Sequence, residues 1–363
     1  MATGRLGLMT RLEVYVASCV LRAVLLSAAA LVALFSLLEF VDQLGAVGNG
    51  RYNLSDALVY ALLTVPARVL QVAPVTMLLG TLLGLGLLSR QSELIIMQSL
   101  GLSAARIVGT VVKLAVPMVI LLFLAAEYLV PPAQALADSR RAAEISAGAP
   151  ALNVAGFWAQ KDRSFLSVQS IRGDHPQNIH IYSFAPDGSL TSALHAMTAE
   201  VEAGGTWRLR DVTEETVTES QFSVQHLAQL DWPGFVQPAE IRLLMLPPDA
   251  LPPLALFNYI GVLAQRHQPA IRYRQELWAT LSIPVSMLAM IMIATAFVFS
   301  AARARSAGQQ IIIGGILGIS FLFLQQITAY LVLLLNLEPA PATLALPLLL
   351  SAAAFLQFWR TQH

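Results

Sequence analysis

Charge is scarce in this 363-residue chain: Asp, Glu, Lys and Arg together make up 12% of it, against 56% hydrophobic residues. Soluble globular proteins carry about 25% charged residues, so the composition excludes a soluble domain and indicates a polytopic membrane protein. The single cysteine, Cys19, excludes an internal disulfide framework and any multi-cysteine metal site. It lies near the start of the first apolar run and reads as a small buried residue. Only two lysines occur, Lys113 and Lys161, and neither stands in G-x-x-x-x-G-K-[ST], so no P-loop is present to cradle a nucleotide. No basic block is found either, which argues against nucleic acid as a partner. Every histidine lies outside the apolar runs, without metal-ligand spacing to acids or cysteine. H-E-x-x-H is missing, and the sequence indicates no catalytic residue, metal or cofactor. Acids within the apolar runs are almost absent, Glu127 and Glu276 lying near run ends as interfacial residues. A secondary transporter's coupling groups are therefore lacking, and a transporter built this way must take its energy from a partner.

What is present is a set of six apolar runs, each close to the ~20 residues that a bilayer-spanning helix needs. They are Val14 to Phe40, Val59 to Leu88, Ile107 to Val130, Leu277 to Phe299, Ile311 to Leu335 and Leu344 to Trp359. The first is too long for the apolar core of a cleaved signal peptide and reads as a retained span. Arg5 and Arg11 precede it, Arg22 can snorkel from its first turns, and Glu39 and Asp42 follow, so the positive-inside rule puts the N-terminus in the cytoplasm. Alternation then places Arg90, Arg106, Arg303, Arg305 and Arg360 on that same face, with both termini inside. The predicted fold is a polytopic α-helical membrane protein of six spans in a 3+3 arrangement, with a domain inserted on the external side.

Three stretches follow: 1–134 with three spans, 135–253 inserted, and 254–363 with an interfacial helix and three more spans. Ala135 to Ile145 reads as a polar helical extension carrying Arg140 and Arg141. Beyond Pro150 the runs Phe165 to Ile171 and Ile179 to Phe184, then Trp207-Arg-Leu-Arg210, alternate with period two, and Pro186-Asp-Gly188 and Gly204-Gly205 supply hairpin turns. A small β-sandwich or jelly roll is expected, its acidic run Asp211 to Glu219 forming a solvated edge. Leu254, Phe257, Ile260, Gly261 and Ala264 share one face of a helix at the outer interface, leading to Arg266, Arg272 and Arg274.

Two features within the first stretch invite a function. The second run holds Pro66, Arg68 and Pro74, then Gly80, Gly84 and Gly86 at the spacing of close helix packing. Arg68, at the external end, is either a snorkelling anchor or a site for an anionic ligand. Between the second and third runs, Arg90 to Gly101 predicts a short amphipathic helix with Leu94, Met97 and Leu100 on one face, Glu93 at its start and Gly101 to stop it. Such a helix is either a connector lying on the membrane or a knob for a socket on another protein.

The run Glu39-Phe-Val-Asp-Gln-Leu44, the segment Leu78-Leu-Gly-Thr-Leu-Leu-Gly-Leu-Gly-Leu-Leu88, the loop Ser92-Glu-Leu-Ile-Ile-Met-Gln-Ser-Leu-Gly101 and Ser306-Ala-Gly308 resemble the lipopolysaccharide-export permease family, most closely its G-type branch. The resemblance runs through the whole chain in order. It implies an inner-membrane permease subunit paired with a homologous F-type subunit and driven by a dimeric cytoplasmic ABC ATPase. Its cargo would be lipopolysaccharide, taken from the inner membrane and passed to a periplasmic bridge of jelly-roll proteins, with a single-span protein anchoring that bridge. The inserted domain would then be a periplasmic jelly-roll-like domain. Residues 90–101 would be the helix coupled to the ATPase, through Ser92, Glu93, Leu94, Met97 and Gly101. Family members with basic residues at the outer end of the first span and the start of the second differ from this chain, which holds Glu39, Asp42, Gly45 and Ala46 there, then Ala67 with Arg68. Phosphate recognition would fall instead on Arg51, Arg68, Arg140 and Arg141, or on the partner subunit. A membrane scaffold whose external domain recruits envelope proteins, without moving lipid, is the alternative from another class.

The six-span topology predicts that, in a Cys19→Ser background, a cysteine placed at Gly188 is labelled by a membrane-impermeant maleimide from the periplasm. One placed at Ser306 should be labelled only after the inner membrane is permeabilised. Labelling of both from one side would overturn the topology.

Overall fold

The computed structural model describes residues 2–145, 157–161, 163–172, 175–201, 206–218, 221–233, 251–265, 270–301 and 307–362. The Gly204-Gly205 turn, Arg266 and the loop carrying Arg303, Arg305 and Ser306 lie outside them. Five described helices are long and apolar enough to cross a membrane, and a bent pair makes a sixth.

The first is α1 (Ala2–Leu44), whose 43 residues reach about 65 Å, twice the thickness of a bilayer's hydrocarbon core. The second apolar run is divided. α2 (Leu54–Leu63) ends at Thr64, and α3 (Val65–Arg90) begins there with Pro66 in its first turn, where a missing N–H costs no helical bond. A short helix, α4 (Glu93–Ser99), then leads to α5 (Ala104–Leu124). α5 continues through a π turn (Ala125–Leu129) into α6 (Val130–Ile145), making one rod of 42 residues. Pro131 and Pro132 remove two successive amide donors just beyond the π turn, and the carbonyls they leave unpaired account for the local widening. After the inserted strands come α7 (Pro253–Gln265), α8 (Ile271–Leu281), α9 (Ile283–Ala301), α10 (Ala307–Leu335) and α11 (Pro339–Gln362). α8 and α9 meet at 43°. Ser282 fills the break, its hydroxyl bonding the Ala279 carbonyl at 2.7 Å, and Pro284 sits in the first turn of α9.

Helix α3 is the centre of this arrangement. Within its apolar window 83% of residues are buried, against 11–28% for the other single-helix spans. Among tails as apolar as leucine there is no hydrophobic reason for one span to be central, so shape decides. Gly80 and Gly84 let α1 come so close that a Cβ at Gly80 would lie 2.5 Å from Val24 Cα, and one at Gly84 would lie 2.8 Å from Val20 Cα. On the other flank it is α10 that supplies the glycines, Gly314 against Leu79 and Leu82 and Gly318 against Val75. Val16, Val20 and Val24 of α1, Met77, Leu82, Leu85 and Leu88 of α3, and Met287, Met290 and Ile291 of α9 fill the shared core.

The inserted segment forms one six-stranded antiparallel sheet in the order β1 (Phe157–Lys161), β2 (Ser164–Arg172), β3 (His175–Phe184), β4 (Leu190–Val201), β5 (Thr206–Thr218), β6 (Gln221–Pro233). Leu166, Ile181 and Leu194 stand opposite one another in register, and with Ile179, Trp207, Leu209 and Val212 they form the buried face. The β3–β4 turn closes at Gly188, with φ +85° and its N–H bonded to the Ala185 carbonyl at 3.0 Å. The acidic run is not an edge. Residues from Asp211 to Thr218 belong to β5, which pairs with β4 on one side and β6 on the other. Acid-rich composition marks a solvated face of this strand, Glu215 being exposed, and says nothing of its place in the sheet.

Glu127 adds a polar link between the two halves of the chain. Its carboxylate accepts the Leu254 N–H at 3.1 Å in the first turn of α7, satisfying one of the free donors there.

If close approach sets the place of α3, Gly80→Ala should destabilise the fold by about 1–3 kcal/mol through overpacking against the α1 backbone. Gly109→Ala is the control, since a Cβ there meets nothing within 4 Å, and it should be neutral or slightly stabilising. Thermal unfolding of the purified protein in nanodiscs compares the two.

Candidate functional site

A cavity of about 950 Å³ opens beside α3, at the end of the bundle where α5 passes into α6. Its walls come from α3, the π turn, α6, α8, α9, α10 and α11, with Phe35 of α1 at one margin. Its lining is apolar at Leu70, Pro74, Ile283, Leu322, Phe323 and Leu346. It also carries Arg68, Gln71, Gln134, Arg272, Gln275, Glu276 and Gln325. Gln275 and Thr343 are 7% and 8% exposed, yet Gln275 Oε1 and Thr343 Oγ1 have no hydrogen-bond partner among the described residues. Groups left in that condition cost free energy unless a ligand or water meets them, so the lining suits a molecule with both alkyl and polar parts.

Arg68 stands at the rim. It follows the Thr64 break by one turn, and its N–H bonds the Thr64 carbonyl at 3.1 Å. Its Nη1 donates to Gln71 Oε1 at 2.9 Å, its Nη2 pairs with Glu39 Oε2 of α1, and its Nε is buried with no partner among the described residues. Glu39 Oε1 accepts from Gln43 Nε2 at 3.0 Å, and Gln43 Oε1 accepts from the buried Tyr52 hydroxyl at 3.3 Å. The polar chain thus runs from α3 to α1 and on to the loop before α2.

Arg140 and Arg141 face a different place, a small cleft with Tyr52, Asp56 and Tyr60. The Arg141 guanidinium lies 5.9 Å from the Tyr60 ring centroid, in cation–π range, and the Tyr60 hydroxyl donates to Asp138 Oδ1 at 3.1 Å. Arg51 is exposed, and its N–H donates to the Glu144 carbonyl at 2.8 Å, tying its loop to the end of α6. The four arginines therefore do not converge on one point. Tyr52 links them, reaching Gln43 on one side and the Arg140–Arg141 cleft on the other. Neither Tyr52 nor Gln43 carries charge, and no spacing in the sequence marks them.

At the opposite end of α3, α4 begins at Ser92, which has φ +61°, and stops at Gly101, with φ +97° and its N–H on the Gln98 carbonyl at 3.0 Å. Leu94 and Met97 are turned into the bundle core beside Leu88 and Leu102. They hold the helix down. The face left open carries Ile95, Ile96 and Leu100, each about half exposed, with Ser92 and Ser99 beside them. Glu93 is half-buried, and its carboxylate lies near the Tyr15 hydroxyl on α1. Next to it Arg106 of α5 pairs with Glu13 of α1 at 2.5 Å. The start of α1 is held from both α4 and α5.

In the β domain the histidines form part of a cross-strand row. Ser167, His180, His195, Thr213 and His226 stand opposite one another on five successive strands, on the face away from the core. The His180 and His195 rings stack with centroids 4.6 Å apart, His195 Nε2 meets Asn178 Oδ1 at 2.8 Å, and His226 Nδ1 meets Thr213 Oγ1 at 3.0 Å. Among the described residues no group of three or more His, Cys, Asp or Glu could hold a metal. Partial burial, then the charge of His195, hold His180 below its ordinary value of 6.5. The unfolded chain therefore binds more protons just below that pH, so the contribution of His180 to stability is full above about pH 6.5 and falls as the pH drops toward the folded value. Amide exchange of the full-length protein should show β3 and β4 losing protection between about pH 7 and pH 5.5, and His180→Asn should flatten that loss.

The family described as Lipopolysaccharide export system permease LptF/LptG matches residues 14–360. The Escherichia coli (strain K12) protein named Lipopolysaccharide export system permease protein LptG is 31% identical over 331 residues, which are 90% of this chain and 92% of that protein. The Haemophilus influenzae protein of the same name is 30% identical over 319 residues, 87% of this chain and 89% of that one.

Proposed function

The chain belongs to the lipopolysaccharide export permease family LptF/LptG, and on that membership we propose that it is the G-type permease subunit of an ABC transporter that lifts lipopolysaccharide out of the inner membrane. The observation that carries this reading is the cavity beside α3, with alkyl walls for acyl chains and arginine and glutamine at its rim for phosphates and sugars. The protein does no bond chemistry. Its homologous F-type partner lies against the exposed apolar faces of α1 and α10, which carry Leu34, Leu38, Ile316 and Phe323, and the two helices line a lateral gate. Energy comes from a dimeric cytoplasmic ATPase whose groove takes α4 through Ile95, Ile96 and Leu100, with Glu93 beside them. Closure of the ATPase dimer pushes α4, the cavity narrows, and the lipid leaves upward to a periplasmic jelly-roll bridge held by a single-span anchor. On this reading both termini are cytoplasmic and the β domain is periplasmic. Residues 1–134 and 254–363 act as the two transmembrane halves and 135–253 as the docking domain between them. Arg51, Arg140 and Arg141 then serve the headgroup along its exit path, through the cleft that Tyr52 joins to Arg68.

Glu93 separates a structural role from a coupling one. As a helix-terminal acid it contributes about 0.3–1 kcal/mol, too little to stop a large complex, whereas loss of one partner of a buried ion pair costs about 3–5 kcal/mol. Glu93→Gln keeps an acceptor for Tyr15 and loses the charge, while Tyr15→Phe loses the hydroxyl and keeps the charge. In reconstituted complex the glutamine variant should release the ATPase and abolish lipopolysaccharide-stimulated ATP hydrolysis, and Tyr15→Phe should retain both. Normal ATPase binding and stimulation in Glu93→Gln would overturn the coupling role. Wild-type ATPase indifferent to lipopolysaccharide would overturn the transport reading in favour of a scaffold.

A further inference from the structure

Arg68 and Glu39 face each other across the α1–α3 contact at the rim of the cavity, with side chains 26% and 14% exposed. Each is held in place from its own helix. Gln43, one turn along α1, holds Glu39, and Gln71, one turn along α3, holds Arg68. The guanidinium spends Nη1 on Gln71 and Nη2 on Glu39, and Nε is left buried with no partner among the described residues. One edge of the fork is thus half used, with a bidentate position that a two-oxygen anion can take in full only by displacing the carboxylate.

We infer that Glu39 is a resident counter-anion of an anion subsite centred on Arg68, and that it makes the cavity select phosphate monoesters over the phosphodiesters of ordinary membrane lipids. The inference rests on the reading of the cavity as a lipid site. The physical ground is competition. Tethered one helix away, Glu39 competes at high effective concentration, and it carries one negative charge. A phosphodiester headgroup also carries one charge and must pay the entropy of immobilising a free lipid, so it loses to the resident carboxylate. A phosphate monoester carries about −1.5 to −2 at neutral pH, with three acceptor oxygens, and can occupy Nε and Nη2 together. Without Glu39 the rim would offer Arg68 to any anionic phospholipid in the leaflet. Glu39 is a specificity-determining residue on this account, and Gln43 and Tyr52 are its positioning residues.

The test places a photo-crosslinking amino acid at Phe35, which lines the cavity, in the assembled complex in nanodiscs. The lipids offered are bisphosphorylated lipid A, its dephosphorylated form and phosphatidylglycerol, and the readout is the crosslinking ratio of lipid A to phosphatidylglycerol. Wild type should favour lipid A. Glu39→Gln should raise phosphatidylglycerol capture and lower that ratio roughly tenfold, the scale of one charge-assisted contact, without losing lipid A. Arg68→Gln should remove the preference of lipid A over its dephosphorylated form. Glu39→Asp, which keeps the charge and shortens the reach, should give an intermediate ratio and serves if Glu39→Gln does not assemble. An unchanged ratio in the Glu39 variants, or an Arg68→Gln variant that still prefers the phosphorylated lipid, would overturn the filter while leaving the lipid reading intact. A wild-type complex that captures no lipid A at all would overturn the lipid reading itself, and the filter with it.

Discussion

The bundle depends on how closely two backbones can approach α3. Leucine gains nothing by leaving lipid for protein inside a bilayer, so the helices are ordered by contact distance, and glycine sets that distance. Gly80 and Gly84 admit α1 on one flank, and Gly314 and Gly318 of α10 admit the bulky residues of α3 on the other. With both neighbours drawn onto one central helix, their outer faces keep large apolar side chains exposed along much of their length. The cavity lies where this ordering relaxes, at the end where α8 bends away from α9 and the π turn interrupts the third rod.

Polar residues are placed with respect to this scaffold in two groups. At the cavity end, Arg68, Glu39, Gln43 and Tyr52 connect α3, α1 and the loop between α1 and α2. At the other end, Glu93 with Tyr15 and Arg106 with Glu13 connect α1 to the helices on either side of the α4 turn. Helix α1 is therefore tied at both ends, with valine-to-glycine contact in between. Under the proposed coupling, a push on α4 would meet a helix that already reaches the cavity rim. In the low-dielectric rim each charged group needs its partner, and a guanidinium with an unused donor is the point at which an incoming anion has most to gain.

Much of this architecture was legible in the sequence, because hydropathy and alternation are local signals. The apolar runs, the polar extension of the third, the strands at Phe165, Ile179 and Trp207 and the stop at Gly101 appear where their residues imply, but the second run is divided at Thr64 and the fourth at Ser282, breaks that hydropathy does not mark. What could not be read is relational. The helical period identifies Leu94 and Met97 as one face of α4, but not that this face is spent on the protein's own core, leaving Ile95 and Ile96 outside. Glu39 reads as a departure from a basic pattern, and only the crossing of α1 over α3 reveals it as the partner of a residue 29 positions away. Arg68, Arg140 and Arg141 share a charge and a membrane face, yet lie in two separate recesses joined by an uncharged tyrosine. The acidic run in β5 likewise announces solvent but not neighbours, since strand order is settled by the strands before and after it.

The strand order has a further bearing on how the chain is made. From β2 to β6 each strand pairs with the one before it, so the sheet has no crossover and its pairing contacts are short-range along the chain. Low contact order favours rapid local closure of hairpins. The sheet can grow strand by strand as the chain is made, before α7 to α11 exist, and its pairing does not wait for the second half of the protein. A domain lodged between two sets of hydrophobic spans would otherwise leave its edges open to foreign pairing during the slowest part of assembly. Sequential order removes that interval, and Glu127, capping α7 from the already inserted third rod, then marks where the remaining helices are to begin.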